Sequence, residues 1–286
     1  IRTLGQQASP RVVLPTLIAA THTLQQVAAA ANGGLRSDCY VLASRYAEYT
    51  GWMAQEMGHD NAALWWTDKA VALASAGGDP ELAAYALVRR ALVSLYADDA
   101  LQTITLARRA QEDRAAGNRV RGLAAQREAQ GHALAGAFSD CQRALERANT
   151  LLDSATTGPG PVLGSSIVSN PVSLSTAWCL YDLGRPAQAA DLLDRELRTV
   201  EPSARRFHAR WGARRALAYA ASGEIDHAWT LSHDLLRDLA GTDSATVRCD
   251  VRALARTLAR WLSHPPVRQL YPELTSALHR PSTLNR

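Results

Sequence analysis

Apolar positions recur at three- and four-residue spacing through most of the chain, and alternation with period two is scarce. In the run 81–96, for example, Tyr85, Val88, Arg89, Leu92, Leu95 and Tyr96 fall on one face of a helix. The pattern predicts a lone helix over 10–31. Helix pairs follow at 37–57/60–76, 79–96/99–114, 117–135/138–153, 171–183/186–199 and 202–221/225–239, and a closing pair at 244–262/265–279 serves as a cap. Pro80, Pro171, Pro186 and Pro202 are each expected at a first helical position, where a missing N–H costs nothing. The segment 154–170, "SATTGPGPVLGSSIVSN", is the one long stretch without helical character.

A spacing of small residues repeats on top of this pattern. Gly51–Gly58–Ala63–Ala70 sets a frame that returns as Ala129–Gly136–Cys141–Ala148. Shorter copies are Ala177–Gly184–Ala189 and Ala216–Gly223–Ala228, whose twelfth positions are Glu196 and Leu235. A degenerate copy is Ala91–Asp98–Thr103–Ala110, and the anchors 58, 98, 136, 184 and 223 stand about 40 residues apart with one stretched interval. Two antiparallel helices approach closely only where facing residues are small, and the bend between them favours a residue tolerant of left-handed backbone. A period of this length is that of tetratricopeptide-like helix pairs. The expected fold is therefore all-α, a right-handed superhelical solenoid of about five to six antiparallel helix pairs. Residues 1–36 are read as an N-terminal helix and linker, 37–241 as the repeats, and 242–286 as a capping pair and tail.

The frame also reads the stretch 57–74, "MGHDNAALWWTDKAVALA", whose histidine, aspartate, lysine and paired tryptophans suggest a site. Gly58-His59-Asp60 is the predicted bend, with Asp60 the N-cap of the second helix and at least one of Trp65 and Trp66 packed. A nucleic-acid stacking platform needs interleaved basic residues, and only Lys69 is present.

Composition narrows the function classes. The net charge of +4 is too mild for a nucleic-acid arm, and 30 of the 31 basic residues are arginine. Cys39, Cys141, Cys179 and Cys249 are too scattered for a zinc site or disulfide framework, so reduced thiols in a cytoplasmic protein are expected. No apolar run approaches the roughly 18 residues of a membrane span, so no spanning segment is expected. The chain opens at Ile1, which suggests a fragment of a longer protein.

In tetratricopeptide solenoids the first helix of each pair lines the concave surface. The inward positions of the frame give Arg45, Tyr49 and Trp52, then Tyr85, Arg89 and Tyr96, then Gln126, Arg127 and Gln130, then Trp178 and Tyr181, and finally Arg210 and Arg214. Aromatic faces among arginines and amides suit a small amphiphilic anion or a peptide. The competing reading pairs these arginines internally with Glu48, Glu56 and Asp182. No catalytic residue, metal or cofactor is assigned: GxSxG, HExxH and a Walker lysine loop are absent. Gly158, Gly160 and Gly164 lack the lysine of a phosphate loop, and His227 and His233 are spaced wrongly for one helical face. The basic run 205–215, "RRFHARWGARR", reads as a solvated or ligand-facing helix.

The segments "RYAEYTGWMAQEMGHDNAALWWTDKAVALA", "YALVRRALVSL", "AQREAQGHALAGAFSDCQRALERA", "CLYDLGRPAQAADLL" and "RRALAYAASGEIDHAWTL" resemble the C-terminal region of XRE-type helix-turn-helix regulators of streptomycetes and related actinobacteria. The likeness runs from about residue 37 to 270. It implies a cytoplasmic sensing or dimerising module, with a homodimer expected, no membrane partner, and DNA contacted only through an N-terminal domain absent from this chain. A more distant similarity is to peptide-pheromone receptors of Gram-positive bacteria, which makes a peptide signal reasonable. The rival expectation is a protein-interaction scaffold, for which an apolar patch of Trp261, Leu262, Leu270, Tyr271 and Leu274 would speak.

Overall fold

The computed structural model describes residues 1–155, 162–164 and 170–279, and among these every regular element is helical. In order they are α1 (Arg2–Gln7), α2 (Pro10–Ala30), α3 (Gly33–Glu56), α4 (Asp60–Ala76), α5 (Glu81–Tyr96), α6 (Ala100–Glu112), α7 (Asn118–Leu134) and α8 (Phe138–Asp153). There follow α9 (Pro171–Asp182), α10 (Pro186–Leu197), α11 (Arg205–Ser222), α12 (Ile225–Thr242), α13 (Ala245–Leu258) with a 3-10 turn at Ala259–Trp261, and α14 (Pro265–His279). Each predicted pair is present within a few residues of its expected ends. Helix α1 was not anticipated, since six residues carry too little periodicity to register. Much of the predicted break at 154–170, with Gly158 and Gly160, lies outside the described residues.

The five anchors sit at the bends. Gly58, Gly136, Gly184 and Gly223 have φ of 82°, 72°, 75° and 92°, and Asp98 takes the same left-handed conformation at 58°. In every case the next residue's N–H bonds the carbonyl five residues back: His59 to Ala54, Asp99 to Ser94, Ala137 to His132, Arg185 to Leu180 and Glu224 to Tyr219. This is the helix-terminating arrangement that satisfies orphan carbonyls. The small residues around the anchors are buried, as close approach requires. A Cβ on Gly51 would stand 3.1 Å from the Ala63 carbonyl on the neighbouring helix.

Helix starts differ in detail from expectation. Pro171 and Pro186 open their helices, and Asn170 Oδ1 accepts from the N–H groups of Val172 and Ser173. Pro80 instead precedes α5, whose Glu81 N–H is taken by Asp79 Oδ1, and Pro202 falls in a turn three residues ahead of α11. Asp60 is the first residue of α4 and not its cap, so it acts on the helix dipole and not through a side-chain hydrogen bond. Trp66 is buried edge-on to Trp65, which is 57% exposed.

The chain divides into two compact units. The first comprises residues 1–10, 56–58 and 176–286, and the second comprises 11–55 and 59–175. In the second, α4, α5, α6, α7 and α8 pack in succession, and α5 also meets α7. Its core joins Trp66, Leu73, Leu82, Tyr85, Val120, Leu123 and Leu163. In the first, α10 meets α11, α11 meets α12 and α13, and α14 closes on α12 and α13. Leu217, Leu235, Leu254, Leu270 and Leu274 form its core. Contact between every second helix, α5 with α7 and α11 with α13, is the packing of a helical repeat.

Among the described residues, helix α2 alone is long and apolar enough to bear on the membrane expectation. By length and composition it could cross a membrane, which was not expected of any segment from the sequence. Core helices and leader segments pass the same criterion, and in α2 the stripe Val13, Leu17, Thr21 and Ala28 is buried although only 22% of its apolar window is.

Candidate functional site

The expected inner-face residues fall into two groups. Arg45, Tyr49 and Trp52 on α3, Tyr85, Arg89 and Tyr96 on α5, and Gln126, Arg127 and Gln130 on α7 belong to the second unit. Trp178 and Tyr181 on α9 with Arg210 and Arg214 on α11 belong to the first.

In the second unit the arginines are engaged. Arg45 Nη2 is 2.7 Å from Asp79 Oδ2, so it braces the bend that also caps α5. Arg89 is buried, its Nη2 donating to Gln55 Oε1 at 3.0 Å and its Nε 3.6 Å from the Glu48 carboxylate. The internal pairing weighed from the sequence therefore holds for Glu48. Arg127 Nη1 donates to Gln130 Oε1 at 2.6 Å. Aromatic surface accompanies these groups: the Tyr49 and Trp52 rings are 5.2 Å apart, and Tyr85 packs with Val88, Leu123 and Leu163.

Polar side chains this deep are a cost unless answered. Gln55, Gln126 and Gln130 are 3%, 2% and 0% exposed, yet their Nε2 atoms meet no acceptor among the described residues. An unanswered buried donor costs roughly 1–3 kcal/mol. Because guanidinium groups can only donate, Arg89 and Arg127 fix the Oε1 ends of Gln55 and Gln130 and leave their buried N–H2 ends without an acceptor. Gln55 is not among the expected site residues, because its role depends on Arg89 of another helix.

A segment of the chain already occupies part of this wall. Arg119 Nε donates to the Leu163 carbonyl at 2.7 Å, and the Leu163 side chain is buried beside Tyr85 and Leu123. The Gly164 Cα lies so close that a Cβ there would stand 2.9 Å from Leu123 Cδ1.

In the first unit, the Arg214 guanidinium lies 3.0 Å from the Trp178 ring centroid and 2.9 Å from Asp250 Oδ1. The Arg210 guanidinium sits 5.8 Å from the Trp178 ring and 5.6 Å from that of Trp211. Burial pushes the Asp250 carboxyl up, against the opposing pull of Arg214 and Arg210. Burial and then the Asp182 carboxylate push the Tyr181 phenol up. Arg214 is thus paired with Asp250 and not with Asp182. Asp250 went unnoticed in the sequence because α13 lies beyond the repeat frame.

The basic run of α11 is not a solvated face. Arg206 is 2% exposed and donates to Glu56 Oε2 and to the carbonyls of Gly5, Ala8 and Thr242 at 2.7–3.0 Å. Glu56 therefore pairs with Arg206 rather than with a candidate arginine, and it also accepts from Ser244 and from Thr246 Oγ1 at 2.9 Å. The helix carries arginine because internal carbonyls and carboxylates need it.

No group of three or more His, Cys, Asp or Glu suited to a metal occurs among the described residues. The four cysteines are thiols, with Cys39, Cys141 and Cys179 buried. His227 and His233 stack edgewise on Tyr219 and Trp229 instead of facing each other.

Comparison with protein-family models and with curated proteins returns no match. The resemblance to XRE-type regulators thus rests on the repeat motifs alone.

Proposed function

We propose that this chain is the sensing module of a cytoplasmic transcriptional regulator, built of right-handed tetratricopeptide-type helix pairs. It binds a small molecule or peptide on the inner face of its first helices, and DNA contact belongs to a helix-turn-helix outside these residues. The observation that carries the reading is the chemistry of that face. Glu48, Gln55, Arg89, Gln126 and Gln130 are buried on α3, α5 and α7, at positions where a purely structural repeat would use aliphatic side chains. A ligand that favours one arrangement of the helix pairs biases the equilibrium by its difference in affinity between the two.

Thermal melts of the protein in extracts of the source culture test this reading. Stabilisation by an extract, lost or reduced in Arg127→Ala, supports it. An unshifted melt, with that variant regulating normally, overturns it.

A second reading is a self-associating scaffold. Trp261 and Leu262 are 41% and 39% exposed at the closing pair, but Leu270 and Leu274 of the expected patch are core residues. Light scattering decides between a monomer and the homodimer this reading requires.

A further inference from the structure

We propose that the inner face of α3, α5 and α7 reads neutral carbonyl oxygens: its ligand is an uncharged amide or lactone bearing an apolar chain, and not a carboxylate or phosphate. The inference rests on the sensing role proposed above and names the ligand class.

Three features carry it. The unused polar atoms of Gln55, Gln126 and Gln130 are amide nitrogens, so the face has donors to spare. The two amides whose orientation matters most are held by Arg89 and Arg127, which settles which end is offered. The charge of Arg89 is already answered by Glu48 at 3.6 Å. An anion brought against an already paired cation loses its hydration without gaining a new counter-ion. A carbonyl gives up far less water and matches a neutral N–H donor.

The molecule itself supplies a precedent on the same helices. The Leu163 carbonyl is captured by Arg119, and its isobutyl group is buried beside Tyr85 and Leu123. A carbonyl with an aliphatic group attached is therefore a shape this wall accommodates.

Gln126 is the clean position for a test, because its amide supports no other described side chain through a hydrogen bond at Nε2. Binding to the whole chain is measured calorimetrically with N-octanoyl homoserine lactone, its ring-opened acid, and the blocked peptide N-acetyl-Val-Leu-Gly-amide. Hydrolysis opens the lactone ring to a carboxylate and a primary hydroxyl and leaves the octanoyl amide unchanged. The expected result is a lactone or peptide Kd at least tenfold lower than that of the acid. Gln126→Leu weakens the neutral probe at least tenfold while raising the unliganded melting temperature. Gln126→Met, close in length and unbranched at Cγ, gives the same pair of effects if leucine packs poorly.

Equal or tighter binding of the acid overturns the inference and leaves the sensing role standing. So does neutral-probe binding that is unchanged in both variants. Binding of none of the three probes overturns the inference, and only an unshifted melt in culture extract removes the sensing role as well. The lactone and peptide arms separate the two sources of carbonyl.

Discussion

Helix α7 has two buried faces that treat polar groups in opposite ways. On one, the Glu128 carboxylate accepts from Arg108 Nε at 2.9 Å, Gln111 Nε2 at 2.8 Å and Arg147 Nη2 at 2.5 Å, so that α6, α7 and α8 are tied through a single side chain. On the other, Gln126 and Gln130 hold amide nitrogens that nothing described accepts. At 100° per residue, positions 126 and 130 lie close together and 128 lies roughly opposite. The same rod is saturated on the side of Glu128, where it meets α6 and α8, and unsaturated on the side of Gln126 and Gln130. Burial alone therefore does not mark a structural residue; the balance of donors and acceptors does.

The sharpest way to break this contrast is to remove the polar group from each face. Glu128→Leu strips the acceptor from three donors, and chemical denaturation is expected to show a loss of about 2–4 kcal/mol, moderated because Arg108 and Arg147 reach solvent. Gln126→Leu is expected to move the other way, a gain of about 1 kcal/mol. A loss of similar size at both positions would erase the distinction between the faces.

Acidity sharpens it further. Burial raises the Glu128 carboxyl, but hydrogen bonds from Gln111 and Arg108 and the charge of Arg147 outweigh it and leave it below the ordinary value. With the folded pKa depressed, its contribution is present above the unfolded pKa and disappears as pH falls through the folded one. The stability gap between the wild type and Glu128→Gln should accordingly narrow on acidification below the carboxylate range, whereas that for Gln126→Leu should not change.

Smaller effects come from the bends. Gly136→Ala meets no neighbouring atom within 4 Å, so its cost is backbone strain alone, about 1 kcal/mol. Asp98→Gly in the degenerate copy relieves that strain and is expected to gain about 0.5 kcal/mol. Equal and opposite shifts in denaturation midpoint would show the two bends to be equivalent. At the α10–α11 contact, burial and the hydrogen bond to Asp194 push the Tyr219 phenol up to about 12. Its contribution is fully present below the ordinary tyrosine value and declines as pH rises towards 12. Ultraviolet titration of Asp194→Asn should bring that ionisation down.

The helix pairs were legible because the bends leave a local signature, a small or left-handed residue at fixed offsets, repeated at Gly58, Gly136, Gly184 and Gly223. Asp98 was recoverable only through its place in that cadence. The candidate site was legible as a set of helical positions, since side-chain direction follows from the period. Its chemistry was not: that Arg89 serves Glu48 and Gln55, that Arg214 serves Asp250, and that Arg206 serves backbone carbonyls are pairings between distant segments. Pro202 was misplaced for a related reason, because a proline that starts a helix and one that sits in the preceding turn share the same local sequence.

Those carbonyls have a bearing on the order in which the protein is made. Gly5 and Arg206 are separated by 201 residues. At roughly 5–20 residues per second, a ribosome takes tens of seconds to cover that distance. Through that interval the first ten residues lack the guanidinium that holds them, and Glu56 lacks its countercharge. Residues 11–55 and 59–175, which make up the second unit, are all synthesised before Arg206 is.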